Sequence, residues 1–200
     1  MKSIESSTDE RKDQIKRAAL KVFAKHGIDG TKMSAIAAEA GISQGLSYRY
    51  FSSKEEIFTI LVQEALEEAH AAVRNVVHLP GSPREQFRAF TLIMLDESHK
   101  EYFLLLQHAN ASKEVPEQAK QLLERYSSND MFEHLVPILK KGQQLGEFSE
   151  GDPHRLLFLY FSVITGLMLQ DISKDDINWH QEVDVLLRIL TKAKEMEIRR

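Results

Sequence analysis

The 200-residue chain contains no cysteine. That absence excludes a disulfide framework, a thiolate nucleophile and a cysteine-ligated zinc site. It suits a reducing compartment, and a cytoplasmic location is expected. Proline occurs five times and tryptophan once. No segment alternates apolar and polar residues long enough to suggest a sheet. The longest apolar stretch, residues 156–169, is interrupted by Ser162, Thr165 and Gly166. It falls short of the about 20 apolar residues that a membrane span requires, so no membrane partner is expected. Met1 to Ser7 have no apolar centre, do not read as a secretion signal, and are expected to be a disordered tail. Neither a glycine-rich phosphate loop nor a nucleophile elbow occurs, and no cofactor is expected.

What the chain does contain is an ordinary globular balance, 42% hydrophobic and 28% charged, in segments of helical period. Its net charge of −4 conceals an asymmetry. Residues 1–54 hold ten Lys/Arg against six Asp/Glu, a balance of +4, whereas the remainder holds sixteen against twenty-four, a balance of −8. A basic head on an acidic body is the distribution that a phosphate-binding end would show.

The head has a distinctive centre. Ser34-Ala35-Ile36-Ala37-Ala38-Glu39-Ala40 is a short alanine-rich helix, and Gly41-Ile42-Ser43 is a corner. Gly41 can take the positive φ that a helix stop needs, and Ser43 can cap a second helix. That second helix carries Gln44, Tyr48, Arg49 and Tyr50 on a segment too short for an ordinary core helix. Two short helices joined this way are a helix-turn-helix, in which the second enters the major groove of DNA. The Gln44 amide can pair bidentately with adenine, and Arg49 can reach guanine or a phosphate. Thr31 and Ser34, at the start of the first short helix, can cap it or bind a phosphate.

The run from Ile36-Ala37 through Ala40-Gly41-Ile42-Ser43-Gln44-Gly45-Leu46-Ser47-Tyr48-Arg49-Tyr50-Phe51-Ser52-Ser53-Lys54 resembles the DNA-binding domain of tetracycline-repressor-like (TetR) transcriptional regulators. The similarity extends back over Ala18-Ala19-Leu20, Phe23-Ala24-Lys25-His26-Gly27 and Thr31. It implies an all-α fold of about nine helices. Residues 1–54 would form the DNA-binding domain, and residues 55–200 a ligand-binding and dimerisation domain. It also implies that Tyr48 bonds a phosphate, as do Lys54 and the helix N-terminus beside it. The DNA-facing set is then Thr31, Ser34, Ser43, Gln44, Gly45, Leu46, Tyr48, Arg49, Tyr50 and Lys54. The chain departs from the family where a leucine usually precedes the tyrosine: here Ser47 does, behind Leu46, and which of the two faces DNA stays open. Lys32 stands where the family often has a small hydroxyl residue.

Beyond the head, Ser7-Thr8-Asp9-Glu10 and Ser53-Lys54-Glu55-Glu56 read as capping boxes, as does Ser82-Pro83-Arg84-Glu85. They open a first helix ending near His26, a long fourth helix, and a fifth running to about Ser98. A sixth helix spans Tyr102 to Ala109, and a helical region from Glu117 to about Gln144 is expected to bend or divide at Asn129 or Pro137. Asp152-Pro153 starts a helix that is apolar nearly all round, which needs cover on both sides. A last helix opens at Asn178, before a charged tail from Lys192 to Arg200.

By resemblance the final two helices pair with their twins in a homodimer. Leu156, Leu159, Tyr160, Val163, Gly166, Leu167, Val183, Leu186, Leu187 and Leu190 would form that interface. Phe87, Phe90, Met94, Tyr102, Phe103, His108, Tyr126 and Phe161 would line a pocket for a small, largely apolar effector. The implied function is a repressor released from a near-palindromic DNA operator when that effector binds. A helical ligand-binding module without DNA binding is one alternative. A metal enzyme is another, since Glu67-x-x-His70 and Asp96-x-x-His99 each set a carboxylate and an imidazole one turn apart.

Overall fold

The computed structural model describes residues 2–126, 128–170 and 177–191, and the side chains among these outside 2–7 and 128–130. The tail from Lys192 to Arg200 lies outside the described residues. Among the described residues the fold is all-α, with no strand. The helices are α1 Lys2–His26, α2 Met33–Glu39, α3 Gln44–Ser47, α4 Lys54–Asn75, α5 Pro83–Met94, α6 Lys100–Ala111, α7 Glu117–Arg125, α8 Ser128–Gln144, α9 Pro153–Met168 and α10 Trp179–Leu186. Short 3₁₀ turns follow α4 and α10 and precede α6.

Local chemistry accounts for most boundaries. Gly27, at φ 65°, ends α1 in the left-handed conformation that only glycine enters without strain. Ser82 and Glu85 form a reciprocal box, with the Ser82 N–H donating to Glu85 Oε2 at 2.7 Å, and Pro83 occupies the first turn of α5. Asp152 caps α9 by accepting from the His154 N–H at 3.0 Å, and Asn178 caps α10 by accepting from the His180 N–H at 3.1 Å. At α4 the expected box is displaced by one residue. Ser53 Oγ accepts from the Glu56 N–H, but the Glu56 carboxylate reaches the N–H and hydroxyl of Ser52, at 2.6 and 2.7 Å.

Several expectations need correcting. α1 begins at Lys2, so the backbone of residues 2–7 is helical where a disordered tail was expected, and the helix starts before Ser7. α5 stops at Met94 and α6 starts at Lys100, dividing residues 83–111 differently from the sequence expectation. The break between α7 and α8 comes at Tyr126, whose φ of −99° and ψ of 57° leave the helical region, while Pro137 sits inside α8.

The chain forms two compact units, residues 1–69 with 97–126 and residues 70–96 with 127–200. These compact units do not follow the expected boundary at residue 54. α6 and the start of α7 pack on the first helices, and α4 passes along the chain from one unit into the other. In the first unit, Ile15, Ala19 and Phe23 of α1, Ile36 of α2, Ile57, Phe58 and Leu61 of α4, Leu105 of α6 and Ala119 of α7 share one buried cluster. Phe23 meets Phe58 edge to face at a centroid distance of 5.1 Å. In the second unit, α5, α8 and α9 bury Phe87, Phe90, Leu135, Leu139, Leu157, Tyr160 and Ile164, and Phe87 meets both Phe148 and Tyr160 edge to face. α10 lies on α5, tied by Arg88, which donates to Asp184 Oδ2 at 3.3 Å and to His180 O at 3.0 Å.

Candidate nucleic-acid interface

The corner after α2 is built as its residues dictate. Gly41 sits at φ 66°, and the Gly41 and Ile42 N–H groups donate back to Ala38 O and Ala37 O at 3.0 Å each. Ser43 is extended, and its hydroxyl accepts from the Leu46 N–H at 3.2 Å, opening α3. α3 is a four-residue helix continued by turns through Tyr50. Ser43, Gln44, Gly45, Tyr48 and Arg49 are exposed on it, Tyr48 at 50%. An aromatic phenol and two long polar side chains standing in solvent serve no core, but they suit groove edges and phosphates. Tyr50 is half-buried and packs against the first unit's core, so its ring anchors α3.

Burial separates Leu46 from Ser47. Ser47 is fully buried, its hydroxyl donating to Gln44 O at 2.7 Å, and Leu46 is the more exposed of the two. A serine can turn inward here because a carbonyl one turn back satisfies it.

Two expected phosphate ligands are engaged within the chain. Thr31 is buried at 1% exposure, and its hydroxyl donates to Gly27 O at 2.6 Å. Lys54 does not extend freely outward: Nζ donates to Ile28 O at 2.8 Å and to Thr31 O at 2.9 Å, with the Glu55 carboxylate at 4.0 Å. Both close the corner between α1 and α2. Ser34 remains exposed, and so does Lys32, which immediately precedes α2 and which the sequence left without a role. Its signal was present, since a lysine at a helix start carries a mobile charge where a hydroxyl cap is usual.

The expected effector residues divide between the units. Phe87 and Phe90 are buried in the second unit's core, and Met94 and Phe161 are half-buried there. Phe161 stacks on Phe132 at 5.3 Å and 25°, and Phe132 was not anticipated. In the first unit, Tyr102, Phe103, His108 and Tyr126 are half-buried. Tyr102 lines a polar cleft of about 190 Å³ with Asp13, Lys16, Arg17 and Glu64, not an apolar pocket. Partial burial there, with the Glu64 and Glu68 carboxylates nearby, raises the Tyr102 phenol above its ordinary pKa. His108 Nε2 lies 3.2 Å from Ala24 O, so its polar tip is directed at α1.

The expected dimer set needs revision as well. Tyr160, Val183, Leu187 and Leu190 are fully buried inside the chain and cannot present themselves to a partner. Thr91 and Tyr160 share a hydrogen bond between their hydroxyls, and burial holds the Tyr160 phenol far above its ordinary pKa. Leu156, Leu167 and Leu186 are half-buried. The outward apolar groups are Phe158, Leu159, Val163 and Leu169, from 40% to 62% exposed, with Gly166 among them and Val185 on α10.

For the metal alternative, Glu67 accepts from Gln63 at 2.8 Å, and His99 Nδ1 lies 3.2 Å from Glu68 Oε1. The described residues contain no grouping of three or more His, Asp or Glu side chains arranged to hold a metal ion.

Comparison with known proteins gives this geometry a context. Residues 15–59 match the family described as "Bacterial regulatory proteins, tetR family". The HTH-type transcriptional repressor NicS of Pseudomonas putida is 27% identical over 144 residues, 71% of this chain and 68% of that protein. The fatty acid metabolism regulator protein of Bacillus subtilis is 27% identical over 148 residues, 72% of this chain and 73% of its own. With the HTH-type regulator YuxN of Bacillus subtilis the match spans only 45% of the relative's length. In fold, the chain is similar to the ketosteroid transcriptional regulator KstR2 of Mycobacterium tuberculosis, with a TM-score of 0.76 over 92% of this chain and 96% of that one at 22% identity.

Proposed function

We propose, from the match of residues 15–59 to the tetR family of bacterial regulatory proteins, that the chain is a homodimeric repressor of that family that leaves its operator when a small apolar molecule binds. One observation carries the DNA-binding half. Gln44, Tyr48 and Arg49 stand in solvent on a short helix entered through the Gly41 corner and the Ser43 cap. Gln44 reads a base edge, while Tyr48, Arg49, Ser34 and Lys32 hold phosphates and so fix register. Two such helices in a dimer lie about 34 Å apart, which makes the operator a near-palindrome.

The apolar side of α9 supports the dimer. Phe158, Leu159, Val163 and Leu169 recur on it with the small residues Ser162 and Gly166 between them, which let a second copy approach closely. The aromatic second unit supports an apolar effector. Phe132 and Phe161 offer half-buried ring faces, and the relatives include proteins named for fatty-acid and ketosteroid regulation. Release requires only that the effector bind the DNA-incompetent arrangement more tightly, by a factor that about 1–3 kcal/mol of coupling supplies.

Selection of bound duplexes from random DNA, followed by titrations with Gln44→Ala, tests the base-reading role. The expected result is a loss of about 1–3 kcal/mol on the selected site and little on scrambled DNA. Equal losses on both would remove Gln44 from base reading, and a wild-type chain that selects no sequence would remove the function itself.

A further inference from the structure

Granted the DNA-binding role proposed above, we infer that His108 is a positioning residue for the reading helices, holding the corner Gly27–Thr31 on which α2 hangs. Four backbone carbonyls at this corner have identified donors. Ala24 O, in the last turn of α1, faces His108 Nε2 at 3.2 Å. A carbonyl only accepts, so Nε2 carries the proton in this contact. Gly27 O accepts from the Thr31 hydroxyl, and Ile28 O and Thr31 O accept from Lys54. Last-turn carbonyls of a helix have no partner within it, so side chains from elsewhere decide how rigidly the exit is held.

Among the described residues, donors to the corner from outside it come from α4 and from α6 with its C-cap. Lys54 is the first residue of α4. His108 lies on α6, and Ser112, which ends α6, donates from its hydroxyl to Asp29 Oδ1 at 2.7 Å. Gly27 completes the fit: at φ 65°, a Cβ there would stand 3.3 Å from His108 Nδ1, so the glycine both makes the turn and admits the imidazole. Lys32, the N-cap of α2, follows the corner directly, and α2 packs on α3. α4 continues along the chain into the second unit after residue 69, and the chain returns from that unit at residue 97, just before α6. The corner is thus gripped from elements at two of the three places where the chain passes between the units. Loss of either holder loosens the anchorage of the reading helices, which gives His108 and Ser112 a positioning role at this corner.

Amide hydrogen exchange of the full-length protein, read by mass spectrometry on peptides spanning residues 27–47, tests this. His108→Leu removes the donor and is expected to speed exchange there about fivefold to tenfold, with peptides from residues 131–170 unchanged. His108→Gln places an amide donor at similar reach and is expected to stay within about twofold of wild type. Affinity for the selected duplex follows the same order, lowered in the leucine variant and restored in the glutamine one. Unchanged exchange in His108→Leu, or equal acceleration in both variants, overturns the assignment. Should His108→Leu fail to fold, Ser112→Ala reads the same peptides, and unchanged exchange in it overturns the corner as a joint. A wild-type protein that selects no duplex overturns the regulator reading alone, because the exchange data still judge the corner.

Discussion

Replacing Lys54 by methionine separates two roles for one ammonium group. By resemblance it binds a DNA phosphate; in this chain Nζ donates to Ile28 O at 2.8 Å and Thr31 O at 2.9 Å, from a side chain 23% exposed. Methionine keeps the apolar stem and deletes both bonds. A hydrogen bond from a charged donor contributes about 1.5–3 kcal/mol. Here water reaches part of the site, so the two together contribute about 2 kcal/mol. In a chain of this size each kcal/mol moves the melting midpoint about 2–4 °C, so the variant is expected to melt about 4–8 °C below wild type. DNA affinity falls as the corner loosens, but the slope of log affinity against log salt is unchanged, because no phosphate contact is lost. The exposed Lys32 gives the contrast: its alanine variant keeps the wild-type melting point and loses about 0.9 from the salt slope. Calorimetry, with anisotropy titrations on the selected duplex between about 50 and 200 mM salt, reads both quantities. A Lys54→Met protein that melts with wild type and loses about one unit of slope would put the ammonium on a phosphate and refute the corner assignment.

Val163→Glu places an unpaired carboxylate on the outward apolar side of α9, where Val163 is 40% exposed. Burying that charge between two copies weakens the dimer about a hundredfold or more, so sedimentation at micromolar protein is expected to find monomers; an unchanged mass removes α9 from the interface. Glu56 makes a pH prediction. Its carboxylate is held below the ordinary range, chiefly by the Ser52 hydroxyl and then by the Ser52 N–H. A depressed carboxylate stabilises the fold above its unfolded pKa and loses that contribution as pH falls through its folded pKa. Glu56→Gln is therefore expected to melt below wild type at pH 7, with the gap closing in acid; a gap that persists or widens in acid would show that the charge is not what holds the start of α4.

The helix-turn-helix was legible because its signals are local. Gly41 needs only its own φ to stop α2, Ser43 needs only the N–H three residues on, and the Ser82–Glu85 box lies within four residues. Thr31 finds its partner only four residues back, but other residues placed otherwise than expected have partners distant in the chain. Lys54 binds carbonyls 26 and 23 residues away, and His108 one that is 84 residues away. A lysine or histidine in a sequence shows that it can donate, not to what. Val183, Leu187 and Leu190 illustrate the apolar counterpart. Their helical spacing requires a cover, but a second copy and the chain's own helices, α5 against α10 and α9 against the turn that follows it, satisfy the pattern equally; the Arg88–Asp184 bond, which spans 96 residues, belongs to the second solution.

Distant partners also qualify the charge asymmetry that first pointed to a phosphate-binding end. Of its ten cations, Lys16 is held by Glu64 at 2.7 Å and Asp13 at 3.3 Å, Lys21 lies 3.6 Å from Glu39, and Lys54 is committed to the corner. Glu64 belongs to α4, outside the first 54 residues, so the acidic body reaches into the basic count. The Glu64 bond is also the main reason that the Lys16 ammonium titrates above its ordinary range. A cation already paired releases fewer counterions when it meets DNA, because it must first exchange one anion for another. The salt slope should therefore track the exposed cations that flank α2 and α3, Lys32 and Arg49, rather than the balance of +4 in the sequence.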